Sequence, residues 1–343
     1  MRLLIFTQKV DKNDSILGFM HEWIRRISLE CESVAVICLE AGESDLPNNV
    51  TVHPIGKGYG ITRLKYIFGV YRYLFLIRGT YDKVFIHMNQ EYVFSLGPYW
   101  RLVGIPVYMW RNHPIGNFLT DIAVAMSTKV FCTSTESYTA RFKKTVIMPA
   151  GINTDIFRPV EGAVRKKYSV CMVGRIAPIK HNELALEAMN ILLSKGVQVS
   201  LSLIGGISKD DIEFAESLKR YILDKKLSTT VHFVDAVPLH KLPEIYSSHE
   251  ICLNLTEAGS FDKTIVEAAG CGAMPLVSNE SFKHLLPEVC ITDKNPVHIA
   301  EAIQKLLDPQ VQIGIQKSLD SFVGSQSLGS LIKKLFSEIN GSI

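Results

Sequence analysis

Short apolar runs alternate along the chain with longer stretches in which apolar residues recur every three or four positions. The short runs have the length of buried strands, and the longer stretches have the periodicity of amphipathic helices. The pattern predicts strands at residues 3–6, 34–39, 83–88, 106–110, 129–133, 145–148, 168–173, 199–204, 231–234, 251–255, 274–277 and 289–292. It predicts helices at residues 18–29, 62–77, 181–195, 210–225, 239–247, 264–270 and 296–307. This alternation indicates an α/β protein with parallel sheets covered by helices on both faces.

The alternation begins anew after a loop-like segment at residues 150–155. A chain of 343 residues is also long for a single core and suits two domains. We therefore predict two Rossmann-like, doubly wound domains, at residues 1–155 and 156–325, and a C-terminal helix at 326–343 that packs back on the first domain. Two such sheets place a ligand cleft between their carboxyl ends.

Composition narrows the function classes. The formal net charge is only +3, so whole-chain electrostatics predict no nucleic-acid partner. The seven cysteines form no C-x-x-C pair and most lie in apolar runs, which is typical of buried thiols in a reducing compartment. The first apolar run is too short for a signal peptide, and no stretch has the length of a membrane span. A cytoplasmic location is expected.

A first candidate site follows the predicted strand at 168–173. The strand leads to Gly174, and Arg175 and Lys180 follow five residues apart, just before a helix. A guanidinium fork and an ammonium group suit a diphosphate. Two isolated surface cations could have the same spacing, so a second motif is needed to support a phosphate-binding site.

The second motif lies at residues 254–272, where a buried strand leads into a glycine-containing turn and a short helix. The first turn of that helix holds Lys263 and Thr264, and free N–H groups there favour a phosphate or a sugar hydroxyl. Glu267 lies one turn later among small apolar residues, where a carboxylate can accept hydrogen bonds from two vicinal ribose hydroxyls. The alternative is an ordinary helix glutamate that faces water.

Together these residues resemble the carboxy-terminal domain of the family 4 retaining glycosyltransferases, which have the GT-B fold. The resemblance rests on Arg175, Lys180 and Glu267, the last followed by Ala-Ala-Gly-Cys-Gly. It implies that Arg175 and Lys180 bind the diphosphate of a nucleotide sugar and that Glu267 binds its ribose. It also implies front-face attack with retention, in which the leaving phosphate accepts the proton of the acceptor.

The chain departs from the family pattern in the donor loop. The family has a glutamate eight positions before Glu267, where this chain has Gly259, and Glu257 lies two residues too early. The loop instead reads Gly-Ser-Phe-Asp-Lys, so Ser260, Phe261, Asp262 and Lys263 are expected to contact the donor. Asp262 and Lys263 are candidates to replace the missing carboxylate.

The first half offers weaker candidates. Gly18 lies in the region where the family has a glycine-bearing loop near the donor phosphate, although a polar strand–helix connection would look the same. His113 follows a predicted strand, and the resemblance places a histidine here against the donor hexose. Asn89 and Glu91 follow another strand and are candidates for the acceptor, with a plain surface loop as an equal alternative.

Other catalytic motifs are absent from the sequence. There is no G-x-S-x-G, H-E-x-x-H or D-x-D motif, so we predict neither a metal nor another cofactor. Charge on the leaving diphosphate would be stabilised by Arg175, Lys180 and helix dipoles.

The predicted helix at residues 62–78 combines four cations with five aromatic residues and contains no acid. Such a helix can lie on an anionic membrane surface, which would make the protein peripheral at the inner face of the membrane. A helix with one face on the sheet and its cations in water explains the pattern equally well.

The leading hypothesis is transfer of a hexose or N-acetylhexosamine from a UDP- or GDP-sugar to a glycan or lipid-linked acceptor. A nucleotide-sugar isomerase on the same scaffold is an alternative, but it would need an acid–base carboxylate pair that the sequence does not offer. A noncatalytic nucleotide-sugar-binding protein is a third, and turnover alone distinguishes it.

Overall fold

The computed structural model describes residues 1–14, 17–56, 63–257 and 261–341, and for residues 63–68 it describes the helical backbone alone. The chain divides into two compact units. Unit 1 comprises Met1–Gly151, Gly259–Phe261 and Leu328–Ile343, and unit 2 comprises Ile152–Ala258 and Asp262–Ser327.

The described part of unit 1 contains a parallel sheet of seven strands in the order β3-β2-β1-β4-β5-β6-β7. The strands are β1 (Arg2–Val10), β2 (Ser33–Ala41), β3 (Val50–Pro54), β4 (Lys83–His87), β5 (Val107–Trp110), β6 (Lys129–Cys132) and β7 (Thr145–Ile147). The helices are α1 (Gly18–Ser28), α2 (Arg63–Leu76), α3 (Gln90–Leu102), α4 (Phe118–Met126) and, at the end of the chain, α11 (Leu328–Asn340).

Two hydrophobic layers cover this sheet. Because the central strands are buried on both faces, their side chains alternate between the layers: Leu3 and Ile5 pack with α1 and α11, whereas Leu4 and Phe6 pack with α2, α3 and α4. The chain thus returns to the first sheet with its last helix.

Polar contacts anchor α11 as well. The Lys83 ammonium and the Tyr108 hydroxyl both donate to the carbonyl of Ile339, at 2.8 Å and 3.0 Å, and Lys129 forms an ion pair with Glu338 at 2.7 Å. Lysine donors and a phenol at the last carbonyls satisfy groups that a helix end leaves without intrahelical partners.

The described part of unit 2 contains a parallel sheet of five strands in the order β10-β9-β8-β11-β12. The strands are β8 (Ser169–Val173), β9 (Ser200–Ile204), β10 (Val231–Val234), β11 (Ile251–Asn254) and β12 (Met274–Val277). The helices are α5 (Asn182–Ser194), α6 (Ile212–Asp224), α7 (Leu242–Ser247), α8 (Lys263–Gly270), α9 (Pro296–Leu306) and α10 (Pro309–Ser325). The expectation of an α/β fold with two doubly wound parallel sheets is confirmed.

Some predicted elements were wrong or missing. Residues 289–292 do not form a strand: Glu288–Cys290 is a 3-10 helix, and Ile291 makes a single bridge to Val277. The edge strand β3 was missed, as were α3, α4 and α10. Asn89 lies in the connection before α3, at the N-cap position and without a side-chain capping hydrogen bond, whereas Glu91 is in the first turn of α3 and not in a loop.

None of the described helices is long and apolar enough to cross a membrane. All seven cysteines are free, and six of them are buried.

Candidate functional site

The loop after β8 is held against the loop after β9 by two glycines with positive φ, Gly174 (142°) and Gly205 (158°). A Cβ atom on Gly205 would lie only 1.8 Å from the carbonyl oxygen of Gly174, so no other residue fits there. The amide of Ile176 also donates to the Gly206 carbonyl at 3.0 Å. Sequence analysis missed Gly205, although a Gly-Gly pair directly after a predicted strand was the available signal.

The two predicted phosphate-binding cations have different surroundings. Arg175 is exposed and makes no hydrogen bond or ion pair with any other described residue. Lys180 ends a 3-10 helix at Pro178–Lys180, and its ammonium nitrogen lies 2.9 Å from a carboxylate oxygen of Asp262. Arg175 is therefore free to meet an anion, whereas Lys180 already has a counter-ion.

Asp262 is the centre of a partly buried polar network at the carboxyl end of β11. Its carboxylate accepts hydrogen bonds from the Asn254 amide at 2.9 Å and the Thr264 hydroxyl at 2.8 Å, in addition to Lys180. It also accepts the Thr264 N–H at 3.2 Å and so caps α8. Burial alone would raise the pKa of Asp262, but the charge of Lys180 and these hydrogen bonds outweigh it and lower the pKa.

Lys263 and Glu267 form a second buried group one turn into α8. Burial lowers the pKa of the Lys263 ammonium to about 7, and the charge of Glu267 offsets part of that shift. Burial likewise raises the pKa of the Glu267 carboxyl to about 7, against the charge of Lys263. The Tyr246 hydroxyl donates to Glu267 at 3.4 Å. Glu267 is only 7% exposed, so it is not an ordinary surface glutamate.

Glu257 belongs to a different cluster. Its carboxylate pairs with Lys294 and lies 3.2 Å from Nε2 of His181, a residue with positive φ at the start of α5. Hydrogen bonds and charges from Lys294 and His181 lower the pKa of Glu257 despite some burial. This carboxylate therefore ties the loop after β11 to α5.

In unit 1, His113 is exposed and lies three residues beyond β5. Its Nδ1 is 3.0 Å from both the amide nitrogen and the carbonyl oxygen of Ile115, which fixes the ring through one nitrogen. The neighbouring Asn112 side chain accepts from the Thr133 amide and the Ser137 hydroxyl, which ties the loop after β5 to the loop after β6.

The remaining predicted residues are more scattered. Gly18 is buried at the start of α1, and a Cβ there would lie 3.3 Å from the Lys12 carbonyl. The Asn89 side chain accepts from Gln8 at 3.1 Å, and Glu91 is exposed. Phe261 is buried. Ser260 and Gly259 lie outside the described residues.

The sheet of unit 2 places its candidate residues where the order of the strands reverses. In unit 2 the strand order reverses between β8 and β11, and the candidate residues Arg175, Asp262 and Thr264 all follow those two strands. Ligands of open α/β sheets bind outside the carboxyl ends of the strands at such a reversal. Lys180, Asp262 and Thr264 meet in one network there. Among the described residues no cluster of three or more metal-ligating side chains occurs.

Residues 153–318 match the family model of glycosyl transferases group 1. These residues carry unit 2 and every donor-binding candidate of that unit. The fold is also that of solved GT-B glycosyltransferases. HepE from Anabaena, solved in complex with UDP, has a TM-score of 0.78 at 15% identity, over 99% of this chain and 100% of that one. Sucrose-phosphate synthase from Thermosynechococcus elongatus has a TM-score of 0.74 at 16% identity, and the match covers all of both chains (100% of each).

Among curated proteins, the chain is similar to D-inositol 3-phosphate glycosyltransferase of Acidothermus cellulolyticus. The two are 26% identical over 213 residues, which is 55% of this chain and 47% of that protein. The chain therefore spans about half the length of the curated relatives it matches. The family model covers unit 2, and the solved structures share the GT-B fold of the whole chain.

Proposed function

We propose that this protein is a retaining glycosyltransferase that moves a hexose or N-acetylhexosamine from a UDP- or GDP-sugar to a glycan or lipid-linked acceptor. The observation that carries the proposal is the partly buried network of Lys180, Asp262, Asn254 and Thr264 at the strand-order reversal of unit 2. Exposed Arg175 follows β8 at the same edge of the sheet. HepE, whose fold this chain shares, was solved in complex with UDP-glucose, which favours UDP as the nucleotide.

The donor would bind unit 2. Arg175 and Lys180 would hold the diphosphate, and the negative charge that develops on it during transfer would be stabilised by both cations. Lys180 would then exchange part of its contact with Asp262 for a phosphate oxygen. Glu267 would accept hydrogen bonds from the ribose hydroxyls. Ser260, Phe261, Asp262, Lys263 and Thr264 would surround the donor sugar.

The candidate residues of unit 1 would contact both the donor sugar and the acceptor. His113 would contact the donor hexose beside the reacting carbon, with its free Nε2 available because Nδ1 is held by Ile115. Gly18 would allow close approach of backbone to the donor, and Asn89 and Glu91 would contact the acceptor.

A donor panel tests the proposal. UDP-glucose, UDP-N-acetylglucosamine, GDP-mannose and ADP-glucose are each added to the protein in a thermal-shift assay, because a ligand that binds the native state raises its stability by mass action. A UDP- or GDP-sugar should raise Tm in a concentration-dependent manner. The best donor is then incubated with acceptors, and NMR of the product should show the anomeric configuration of the donor. No shift with any nucleotide sugar would contradict the proposal.

A further inference from the structure

Unit 1 contains buried polar atoms that have no hydrogen-bond partner within the described part of the chain. Four of them are Oγ1 of Thr7, Oε1 of Gln90, Nη1 of Arg111 and Oγ1 of Thr133. Thr7 is 0% exposed and Thr133 is 8% exposed, so water reaches them poorly. Because buried polar groups in folded proteins are normally paired, a group of such atoms calls for an explanation.

These atoms lie along one edge of the seven-stranded sheet. Strands β1, β4, β5 and β6 are consecutive neighbours and all parallel, so their carboxyl ends share an edge. Thr7 lies just past the β1–β4 register pair Phe6–Ile86, Arg111 directly follows β5, and Thr133 directly follows β6. Gln90 begins α3, three residues after β4. Strands are spaced at about 4.8 Å, so the group extends over three spacings, or roughly 14 Å, along the sheet edge, which is longer than one monosaccharide ring and leaves room for a sugar that carries a charged substituent.

Arg111 gives this group its charge preference. Nη2 of its guanidinium donates to the Ile115 carbonyl at 2.8 Å, but Arg111 forms no ion pair with any described residue. The carboxylate of Glu91 acts on this guanidinium through its charge, without forming an ion pair, and the carboxylate of Asp121 is engaged by Arg141 and the Tyr138 hydroxyl, each at 2.9 Å. A half-buried cation without a counter-ion is costly unless a ligand supplies the opposite charge.

The backbone holds Arg111 firmly in this place. Its amide donates to the Phe131 carbonyl at 2.9 Å, and its carbonyl accepts from the Thr139 hydroxyl at 3.0 Å. The side chain therefore extends from a fixed point at the sheet edge, as a binding residue needs to be. Burial lowers the pKa of Arg111, while the charge of Glu91 opposes that shift, which agrees with a desolvated guanidinium.

We infer that this edge of unit 1 binds an acceptor that carries an oxyanion, a phosphate or a carboxylate, and that Arg111 recognises the oxyanion. Thr7, Gln90 and Thr133 then bond the hydroxyls of the same molecule. The inference rests on the proposed function, because it names the acceptor class of that reaction. Arg111 was not among the residues that the sequence indicated.

Binding of inorganic phosphate to protein saturated with UDP tests the inference. Saturation with UDP occupies the donor site, so that phosphate reports on a second site alone. We expect phosphate to bind the wild-type protein and to bind Arg111→Gln at least tenfold more weakly, with Arg111→Lys between them. The matched control is Arg101→Gln, which removes an exposed arginine at the far end of α3. Equal phosphate affinity in Arg111→Gln and the wild type would overturn the inference.

Two further measurements separate the explanations. The first measurement compares the Tm of the protein with UDP and one added sugar: glucose, glucose 6-phosphate or glucuronate. Only the two anionic sugars should raise Tm, and only when Arg111 is present. Equal shifts with neutral glucose contradict the inference. The Tm of Arg111→Gln without ligand should equal or exceed that of the wild type, whereas an arginine with a structural role would lower it. If neither UDP nor GDP binds the wild type, the proposed function fails; if GDP alone binds, it replaces UDP in these measurements.

Discussion

At the residue scale, the structure distinguishes two cations that look alike in the sequence. Arg175 is exposed and without a partner among the described residues, and Lys180 is paired with Asp262. Their loss should therefore have different consequences. Removal of Arg175 would delete the proposed contact with the donor and no contact with the described part of the protein. Removal of Lys180 also leaves a buried carboxylate without its counter-ion, which destabilises the fold.

We expect Arg175→Ala to weaken binding of the donor while its Tm equals that of the wild type. Loss of a charge-assisted hydrogen bond costs about 1.5–3 kcal/mol, or roughly 10- to 150-fold in Kd. Calorimetric titration of UDP-glucose measures the change. Arg220→Ala is the control, because it removes an exposed arginine of α6 in the same unit. Unchanged affinity in Arg175→Ala would show that Arg175 does not bind the diphosphate.

Glu267 should make donor binding depend on pH. Its pKa is raised to about 7 by burial, so the carboxylate, the form proposed to accept hydrogen bonds from the ribose hydroxyls, is the minor form at pH 6 and the major form at pH 8. The affinity for UDP-glucose should rise about tenfold over that interval, in proportion to the ionised fraction. UDP-glucose is used because its phosphates do not titrate there. Glu267→Gln should bind more weakly and without this pH dependence.

The raised pKa of Glu267 also affects the free energy of unfolding, which should fall with rising pH while donor affinity increases. Because the pKa of Glu267 is higher in the folded than in the unfolded protein, its contribution to the free energy of unfolding is present at low pH and is lost as pH rises from about 4.5 to about 7. A Glu267→Gln variant that showed the wild-type pH dependence of affinity would exclude the ribose role.

The sequence indicated the donor-binding candidates of unit 2 because they follow strands within short, recognisable motifs. It did not indicate the pairing of Lys180 with Asp262, since these residues are 82 positions apart and meet only when β8 and β11 become neighbours. Arg111 escaped notice for a similar reason. An arginine after a strand is unremarkable until the fold buries one of its nitrogens without a partner.

At the scale of elements, strong periodicity identified most strands and helices, and weak periodicity explains the misses. Helix α3 contains Pro98, which breaks the expected pattern, and α4 is apolar nearly all round. Helix α10 buries only Leu319 and Phe322 and so has no clear apolar stripe. The apolar run at 289–292 is short enough to suit a strand or a turn, and periodicity does not distinguish them.

Helix α2 retains the features that suggested a membrane surface. Val70, Leu74 and Ile77 are buried on the sheet, whereas Tyr71, Phe75 and Leu76 are at least half exposed. Arg72 and Arg78 are exposed as well, and the Arg78 guanidinium lies 4.1 Å from the centre of the Phe75 ring. From residue 69 onward the described side chains therefore divide into a buried face and a basic aromatic face, so packing on the sheet and contact with a membrane surface are compatible.

We predict that the protein binds vesicles containing an anionic lipid and does not bind neutral vesicles. Each juxtamembrane cation contributes about 1 kcal/mol, so Arg72→Glu should weaken binding strongly and added salt should weaken it further. Flotation measures the bound fraction. Arg220→Glu is the control, because it makes the same charge change on an exposed helix of unit 2. Equal flotation of both variants would exclude this surface, and absence of wild-type protein from anionic vesicles would exclude membrane binding.

At the scale of the whole molecule, each unit combines a recurrent sheet with its own chemistry at the carboxyl edge. Unit 2 gathers Arg175, Lys180 and the α8 network, and unit 1 gathers His113, Arg111 and the unpaired atoms of neighbouring strands. This division suits a reaction with two substrates, since a donor and an acceptor need separate recognition. The charge of the leaving diphosphate would then be met by side chains of unit 2 alone.

We therefore predict that transfer does not require a divalent metal ion. The sequence has no D-x-D motif, and the proposal assigns the diphosphate charge to Arg175 and Lys180. Lys180 is held by Asp262 before the donor binds, and preorganised charges of this kind account for several kcal/mol of transition-state stabilisation. Product formation from the donor identified above is measured in excess EDTA and in excess Mg²⁺ or Mn²⁺. The rates should agree within about twofold.

The kcat of the Lys180→Gln variant should be lower than that of the wild type by about 10²-fold or more, because the variant loses one electrostatic contact in the transition state. Activity that EDTA abolishes and added metal restores, together with a mild effect of Lys180→Gln, would assign the charge to a metal ion instead.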